Sequence, residues 1–427
     1  MLDIKYIRTH REEVEKNNEA RKVNIDLNEL LVLDEERAKL QQKIDDLRAE
    51  RNKRSKTKPS EEEISLMKKL GEEITDLEDL AEEKLGEVRE LLFTLPNLTH
   101  SDVPTGKDES GNKVIRKVGE IPVFNFQPKE HYELGEALGI IDLKTAAEVS
   151  GSRFAYLKGK LVLLELALLH YTYSVLTNET LLREIIVKNN LSVSSKPFVP
   201  IIPPVLIKPD VMRNMGRLEP REERYHIDSD DLYLVGSAEH TLGPMHMNQT
   251  IKEADLPIRY LGFSTAFRRE AGSYGKDTKG IFRVHQFDKI EMESFTTPEV
   301  SVAEQDFLVA IQEYLMQSLG IPYQVVLKCT GDMGLPDYRE FDIESWMPGQ
   351  GRYRETHTAD LMTDYQARRL NIRVKQRNGS VEFAHMNDAT TIAMSRTLIA
   401  IMENYQTAEG QIMVPEVLKK YTGFEVI

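Results

Sequence analysis

The sequence predicts an α+β fold, an antiparallel sheet flanked by helices and preceded by an antiparallel helical hairpin. Three observations carry this reading. From about Leu27 to Ser55 the chain is dense in Leu, Glu, Lys, Arg and Gln, and Leu33, Leu40 and Leu47 recur at heptad spacing with Ile44 between them. That is the seam of a coiled coil. Alternating or β-branched stretches at Tyr233–Val235, Phe282–Glu293, Tyr323–Leu327 and Glu340–Met347 read as strands separated by long insertions. Neither the P-loop string nor the Rossmann glycine fingerprint occurs, so nucleotide binding cannot be argued from a phosphate loop before a helix.

The hairpin comes first in the chain. After Lys56-Thr57-Lys58-Pro59-Ser60 a second helix starts, with Ser60 and Glu63 spaced as a capping box. Met67, Leu70, Ile74, Leu77, Ala81, Val88 and Leu91 then follow at helical spacing, so two long helices fold back on each other. Its tip carries Arg48, Arg51, Lys53, Arg54, Lys56 and Lys58, opposed nearby only by Glu50. Such a cluster suits a helix C-terminus through the dipole, and it equally suits an RNA backbone met at the end of a long arm. Leu95-Pro96-Asn97-Leu98 ends the second helix, and the polar stretch through Asp108-Glu109-Ser110-Gly111-Asn112 reads as a linker. A boundary near residue 105 follows, giving a hairpin domain of residues 1–105 and a larger domain of residues 106–427.

In the larger domain, His131–Leu138 and Leu161–Thr177 read as helices, the latter mostly apolar and expected to be buried. Val199-Pro200-Ile201-Ile202-Pro203-Pro204-Val205-Leu206 is extended, because each proline biases its predecessor away from helix. The apolar run within Asn387–Gln406 reads as a buried helix carrying one arginine, Arg396, which demands an anionic partner.

Composition narrows the function classes. At 427 residues the chain exceeds what one core usually supports. Its single cysteine, Cys329, excludes a disulfide framework and a cysteine-rich zinc site, which fits a reducing compartment. The N-terminus lacks a signal-peptide pattern and no long apolar run occurs, so a cytoplasmic location without a membrane partner is expected. A formal charge of −14 argues against nonspecific coating of nucleic acid, and an RNA partner therefore needs a local basic patch.

The densest chemistry lies between Phe267 and Glu293. Arg268 and Arg283 offer forked, permanently charged donors suited to phosphoryl oxygens, and Phe287 offers a stacking face. The wording FRREAGSYGKDTKGIFRVHQFDKIEM resembles the second signature motif of the class II aminoacyl-tRNA synthetases, and of the bacterial-type seryl-tRNA synthetases in particular. The resemblance runs over nearly the whole chain.

That resemblance implies a class II catalytic domain, ATP and Mg²⁺, L-serine, tRNA(Ser), a homodimer, and the hairpin as the arm that grips the tRNA through Arg48, Arg51, Lys53 and Arg54. The selenocysteine tRNA is a second substrate the family commonly charges. By resemblance, Arg268 bridges the α-phosphate and the serine carboxylate, Glu270 addresses the adenine edge, Phe287 its face, and Arg283 the terminal phosphate. Arg269 and Val284 fall within the same ATP motif. In Arg354-Glu355-Thr356-His357-Thr358-Ala359-Asp360, residues 355–358 match ATP-binding positions, and Glu355 and Thr358 match the magnesium ligands, whose hard oxygens suit that ion. Arg396 matches the third motif and faces the far end of ATP, so that Arg268, Glu355 and Arg396 form the catalytic set. Ser237-Ala238-Glu239, Arg268, Glu291 and Thr390 match positions that hold serine, with Glu239 near the ammonium group and Glu291 and Thr390 near the side chain. Zinc on His240, His246 and His357 is disfavoured without paired cysteines or an HExxH string.

Three segments depart from the common family form: Ser237 for threonine, Thr356–Leu361 for a serine-rich string containing Cys and Asn, and Asp388-Ala389-Thr390-Thr391 with Ser395 where Asn-Gly-Ser/Thr-Gly and a later glycine are common. Losing glycines threatens to crowd the ligand, because a Cβ limits clearance. Yet Glu239, Arg268, Glu270, Arg283, Glu291, Glu355 and Arg396 all remain. The expected function is therefore serine–tRNA ligation, with seryl-adenylate formed first and acyl transfer second. Two rivals are a ligase that loads a carrier-protein thiol, whose relatives lack the long arm, and a noncatalytic RNA-binding paralogue, which the departures motivate and the retained charges oppose.

Overall fold

The computed structural model describes residues 1–54, 60–271 and 279–427, so Lys56, Lys58 and most of the glycine-rich loop lie outside the described residues. The chain divides into two compact units, Met1–Leu98 and Thr99–Ile427.

In the first unit, α1 (Leu27–Arg54) and α2 (Glu61–Thr94) form the hairpin. Ser60 caps α2 through a reciprocal box with Glu63, satisfying two backbone donors that the first turn leaves without helical partners. The seam buries Ile44, Leu70 and Ile74, while Leu27, Leu30, Val88, Leu92 and Leu95 pack with Ile7 and Val14 at the base. Leu33, Leu40 and Leu47 are only half-buried, as expected for two helices without a third to cover them. Lys43–Glu73 at 2.9 Å and Arg48–Glu78 at 2.7 Å cross between the helices.

The second unit is built on an eight-stranded sheet: β1 (Lys113–Val118), β2 (Val199–Ile201), β3 (Ile258–Phe267), β4 (Gln286–Thr296), β5 (Tyr323–Leu327), β6 (Arg339–Met347), β7 (Arg352–Thr363) and β8 (His385–Ala393). Their order is β1-β5-β6-β7-β8-β4-β3-β2, antiparallel throughout except for the parallel β2–β3 edge. Helix α5 (Ser301–Ser318) is buried along most of its length. Gln305 donates to the carbonyls of Arg339 and Ala359, and Gln312 to those of Thr358 and Thr390, so the helix is tied to three strands by their backbones. The tie extends to β3. Fully buried Arg259 makes a bidentate pair with Glu304 at 2.6 and 2.7 Å and donates to the carbonyls of Ser194 and Lys196.

Several expectations are corrected. The stretch after Leu98 is no linker: Val103 packs with Leu327 and Met333, Asn112 bonds Asp332 and the Cys329 N–H, and a Cβ on Gly106 would stand 2.6 Å from Cys329 Sγ. These contacts move the break between units to Leu98–Thr99. Helix α3 (His131–Ala137) forms as read, and α4 (Lys160–Leu176) buries Leu161, Leu164, Leu168 and Val175 but leaves Val162, Leu163 and Leu166 exposed on its other face. The strand expected from Phe282 starts instead at Gln286, because the Ile281 N–H is taken by a histidine nitrogen rather than by a strand. The run read as one buried helix is a strand to Ala393 and then helix α6 (Met394–Asn404); Thr390, Thr391 and Ile392 are β-branched and pair with β4 or lie in its bulge.

Removing one partner of a fully buried, hydrogen-bonded ion pair strands the other. Arg259→Met should therefore destabilise the protein by about 3–5 kcal/mol, read as an earlier urea-unfolding midpoint. A midpoint shift of well under 1 kcal/mol would mean that Glu304 finds another partner.

Candidate active site

Antiparallel pairing aligns side chains across the sheet, and every second residue of a strand faces the same side. On β4 that puts Phe287, Lys289, Glu291 and Glu293 on one face. Two bulges then break the alternation where it matters. On β7, Glu344 opposes Glu355 and Ile343 opposes His357, leaving Thr356 unpaired in the ladder. On β8, Ile290 opposes Ile392 and Glu291 opposes Thr390, leaving Thr391 in the same position. Each extra residue re-aims its neighbours, so Glu355 with Thr358, and Thr390 with Ala393, line one cleft although each pair is three residues apart.

The cleft is lined by Arg268, Glu270, Phe282, Arg283, Val284, Phe287, Lys289, Glu355, Thr356, Thr358, Thr390, Ala393, Ser395 and Arg396. Its charges meet in pairs. Glu270 and Arg283 lie 2.6 Å apart, and Glu355 and Arg396 2.7 Å. Arg268 is braced by the Gly236 carbonyl at 3.1 Å and lies 5.3 Å over the Phe287 ring. Arg396 lies 4.7 Å over Phe282. Although burial opposes charge on Glu355, Arg396, Lys328 and Arg268 outweigh it and hold its carboxyl well below the usual range. Nearly half of its side chain stays accessible.

Beneath the cleft floor lies Glu291. It accepts from Ser237 at 3.0 Å and Thr390 at 3.2 Å and pairs with Lys289, which also donates to Ser237 at 3.0 Å. Burial pushes the Glu291 carboxyl up, Lys289 pulls it back, and Glu239 adds to the rise. Ala238 and Glu239 are buried next to this group, and Glu239 stands 3.5 Å from His240 Nε2.

Two residues expected at the nucleotide are not brought to the cleft. The Arg269 N–H donates to the Glu223 carbonyl and its guanidinium lies over Tyr225, because the backbone turns after β3. His357 is buried with Nδ1 on Thr356, since the bulge sends it away from Thr358. Burial drives its pKa down to about 3, so it is neutral. Among the described residues no cluster of three potential metal ligands contains a histidine; the trio that does form is Asp337, Glu340 and Asp360, with oxygens within 4.8 Å of one another.

Sequence reasoning missed Lys289, Phe282 and Arg217. Lys289 was legible, two residues from both Phe287 and Glu291 on a strand. Arg217 was not, because its loop carries no motif. Its Nη2 lies 3.3 Å from both Asp360 and Asp388 and 3.8 Å from Asp337.

A profile of the seryl-tRNA synthetase N-terminal domain matches residues 1–99, and one of the class II tRNA synthetase core domain (G, H, P, S and T) matches residues 223–405. A serine–tRNA ligase of Thermodesulfovibrio yellowstonii is 39% identical over the full length of both chains, and one of Rubrobacter xylanophilus is 39% identical over 100% of this chain and 99% of its own. The chain belongs to the seryl-tRNA synthetase family. Among solved seryl-tRNA synthetases, that of Pyrococcus horikoshii complexed with ATP superposes with a TM-score of 0.87 at 39% identity, covering 100% of this chain and 99% of that one. That of Naegleria fowleri with AMP gives 0.84 at 32%, covering 100% and 98%. As a member of this family the chain is a class II ligase, and among its described residues no single helix is long and apolar enough to cross a membrane.

One feature of this synthetase is open to a direct pH test. Burial pushes the Asp388 carboxyl up to about 8, against the pull of Arg217 and helped by Glu239, Asp337 and Glu291. In the unfolded chain the group titrates near about 4. The folded form thus keeps a proton that the unfolded chain has lost, and this group's contribution to stability falls as pH rises from about 4 to about 8. Asp388→Asn mimics the protonated form, so its melting temperature should gain on the parent's between about pH 6 and pH 8.5. A constant difference across that range would contradict the assignment.

Proposed function

We propose that this chain is an ATP- and Mg²⁺-dependent serine–tRNA ligase that works as a homodimer in the cytoplasm. One observation carries the reading: Arg268, Glu270, Arg283, Phe287, Glu355 and Arg396 come from four separate stretches of chain and meet in one cleft, directly above the Glu291–Ser237–Thr390 group. Nothing in this arrangement favours loading of a carrier protein or loss of catalysis.

The chemistry asks for charge control rather than a nucleophile. A serine carboxylate oxygen bonds to the α-phosphorus of ATP, the bond to the β-phosphate bridging oxygen breaks, and pyrophosphate leaves. Arg268 neutralises both reacting anions and holds them in line. A polyphosphate entering the cleft competes for Arg283 and Arg396. Their present partners are thereby released for new roles: Glu270 to accept from the adenine amino group, and Glu355 to meet cations. The accessible Glu355 carboxylate and the Thr358 hydroxyl form a hard-oxygen donor set that fits Mg²⁺, which supplies further charge neutralisation on the phosphates. Glu239 is placed to offset the serine ammonium, while Glu291 with Thr390 is suited to test for the small hydroxylated side chain. In the second step a hydroxyl of the terminal adenosine of tRNA(Ser) takes the acyl group and AMP leaves; the selenocysteine tRNA is a second acceptor.

The homodimer rests on exposed apolar surface. Leu163 and Leu166 on α4 are about half-exposed, and Ile202, just past β2 at the sheet edge, is 87% exposed, in a segment similar to the family's interface motif. The compartment agrees with a lone, buried, free Cys329.

Two measurements test the reading. Pyrophosphate exchange should depend on serine and fail with alanine and cysteine, and Arg268→Ala should lower its rate by about 10²–10³. Exchange that is indifferent to serine would overturn it. For the arm, Arg48 and Arg54 are occupied by Glu78 and Glu50, whereas among the described residues Arg51 and Lys53 have no ion-pair partner. Arg51→Ala with Lys53→Ala should weaken tRNA charging, reduce its salt slope by about two, and leave exchange unchanged. Equal loss of both activities would remove the arm from tRNA binding.

A further inference from the structure

Glu403 is fully buried on α6, two turns beyond Arg396, and outside the cleft. A buried carboxylate is tolerated only when donors surround it. Four do: Oε1 accepts from the His131 backbone N–H at 3.1 Å, from His131 Nδ1 at 3.2 Å and from Gln350 Nε2 at 3.3 Å, and Oε2 accepts from the Gly349 N–H at 2.9 Å.

His131 passes the anchor on. Its Nε2 accepts from the Ile281 N–H at 3.1 Å, which requires a lone pair there and so assigns the proton to Nδ1, facing Glu403. The imidazole lies hard against the backbone. Gly280 has φ of +71°, and a Cβ on it would stand 1.9 Å from Nε2. The loop strand that returns to the cleft is therefore gripped at Gly280–Ile281, immediately before Phe282 and Arg283.

The same node reaches one more cleft group and one at the rim. Gln350 accepts from Arg354 Nη1 at 2.8 Å, and the Arg354 guanidinium lies 3.7 Å from the centre of the Phe282 ring, with Arg396 also over that ring. Arg283, Arg354 and Arg396 come from different segments, and each segment is referred to Glu403. A buried His–Glu pair is ordinarily fold glue. Here, though, each hydrogen-bond partner of the two side chains beyond the pair lies in a segment that presents a guanidinium to the cleft or its rim.

We propose that His131, oriented by Glu403, is a positioning residue that sets the spacing between Arg283 and Arg396 for the polyphosphate of ATP. The inference rests on the adenylation reading above. It predicts an effect confined to the nucleotide, because the Glu291–Ser237–Thr390 group shares no contact with the node.

The test is pyrophosphate exchange and ATP calorimetry on the full chain, comparing parent, His131→Ala and His131→Asn. Asparagine keeps an N–H close to the position of Nδ1 for Glu403 but cannot reach Ile281, so it preserves the anchor and removes only the grip. Both variants should raise the KM for ATP by about tenfold and weaken ATP binding similarly, with kcat and the KM for serine within about threefold of the parent. Adding Glu403→Gln to His131→Ala should do little more, since the two act as a unit. Serine and ATP constants rising together, or His131→Asn matching the parent, would overturn the proposal; should His131→Ala not fold, His131→Asn decides alone. If the parent shows no exchange, the adenylation reading fails, and ATP affinity in parent and variants still decides the role of His131.

Discussion

The antiparallel register across β4, β8, β7 and β6 places Glu293, Asp388, Asp360 and Glu340 directly opposite one another in a single row, and the catalytic unit depends on how that charge is met. Like charges opposed across strands are destabilising, and all four here are buried. Two cations answer them. Arg217 spans Asp360, Asp388 and Asp337, and Lys328 lies 2.9 Å from Glu340. Two cations cannot balance four carboxylates and Asp337, so protons supply the remainder: burial and neighbouring carboxylates push Glu293 and Asp360 well above their usual range. The row is thus a partly protonated layer rather than a bare anionic wall.

One step along the same face the row changes character. Glu291, Thr390, Thr358 and Asp342 place two hydroxyls between two carboxylates, and Lys289 pairs with Glu291. A further step brings Arg268, Arg283 and Arg396. The sheet face therefore grades from a row of four buried acids through a row of two acids and two hydroxyls to guanidinium groups. An amino acid with its ammonium toward the acids and its carboxylate toward Arg268 follows that gradient, as does a polyphosphate beyond it. On the reading proposed above, the field of the face orients both substrates as much as any one contact does.

Much of the frame is legible in the sequence. The heptad leucines and the Ser60–Glu63 box mark α1 and α2 because two-helix packing is a local, periodic problem. Strand alternation likewise marks β5 and β6 almost to the residue. Expectations failed where tertiary partners override local pattern: Phe282–His285 looks like strand but gives its backbone to His131, and the polar segment after Leu98 looks like linker but is bolted to Cys329 and Asp332. In the site, charged residues inside recognisable strings were readable. Register effects were not, since a bulge at Thr356 or Thr391 has no sequence mark and decides that Glu355 enters the cleft while His357 leaves it.

The same register answers the concern raised by the lost glycines. Ala389 opposes Met292 and Ala359 and is buried in the main core with them, so its Cβ points to the back of the sheet and takes no room from a ligand. Asp388, where asparagine is common, turns its carboxyl to Arg217, away from the cleft lining. Thr391, also at a glycine position, is buried and outside the cleft lining, Thr390 keeps the usual hydroxyl, and only Ser395 adds an atom to the cleft where a glycine is common. Asp360 and Asp388, one from each of the two departing segments, face each other across β7 and β8 and share Arg217. The departures are therefore coupled: an aspartate in one segment alone would leave Arg217 with fewer carboxylates, and both without Arg217 would leave two buried acids with no cation between them. What looks in sequence like two independent erosions of the pocket is one substituted charge layer behind it, and of the glycine positions only Ser395 adds a side chain to the cleft lining.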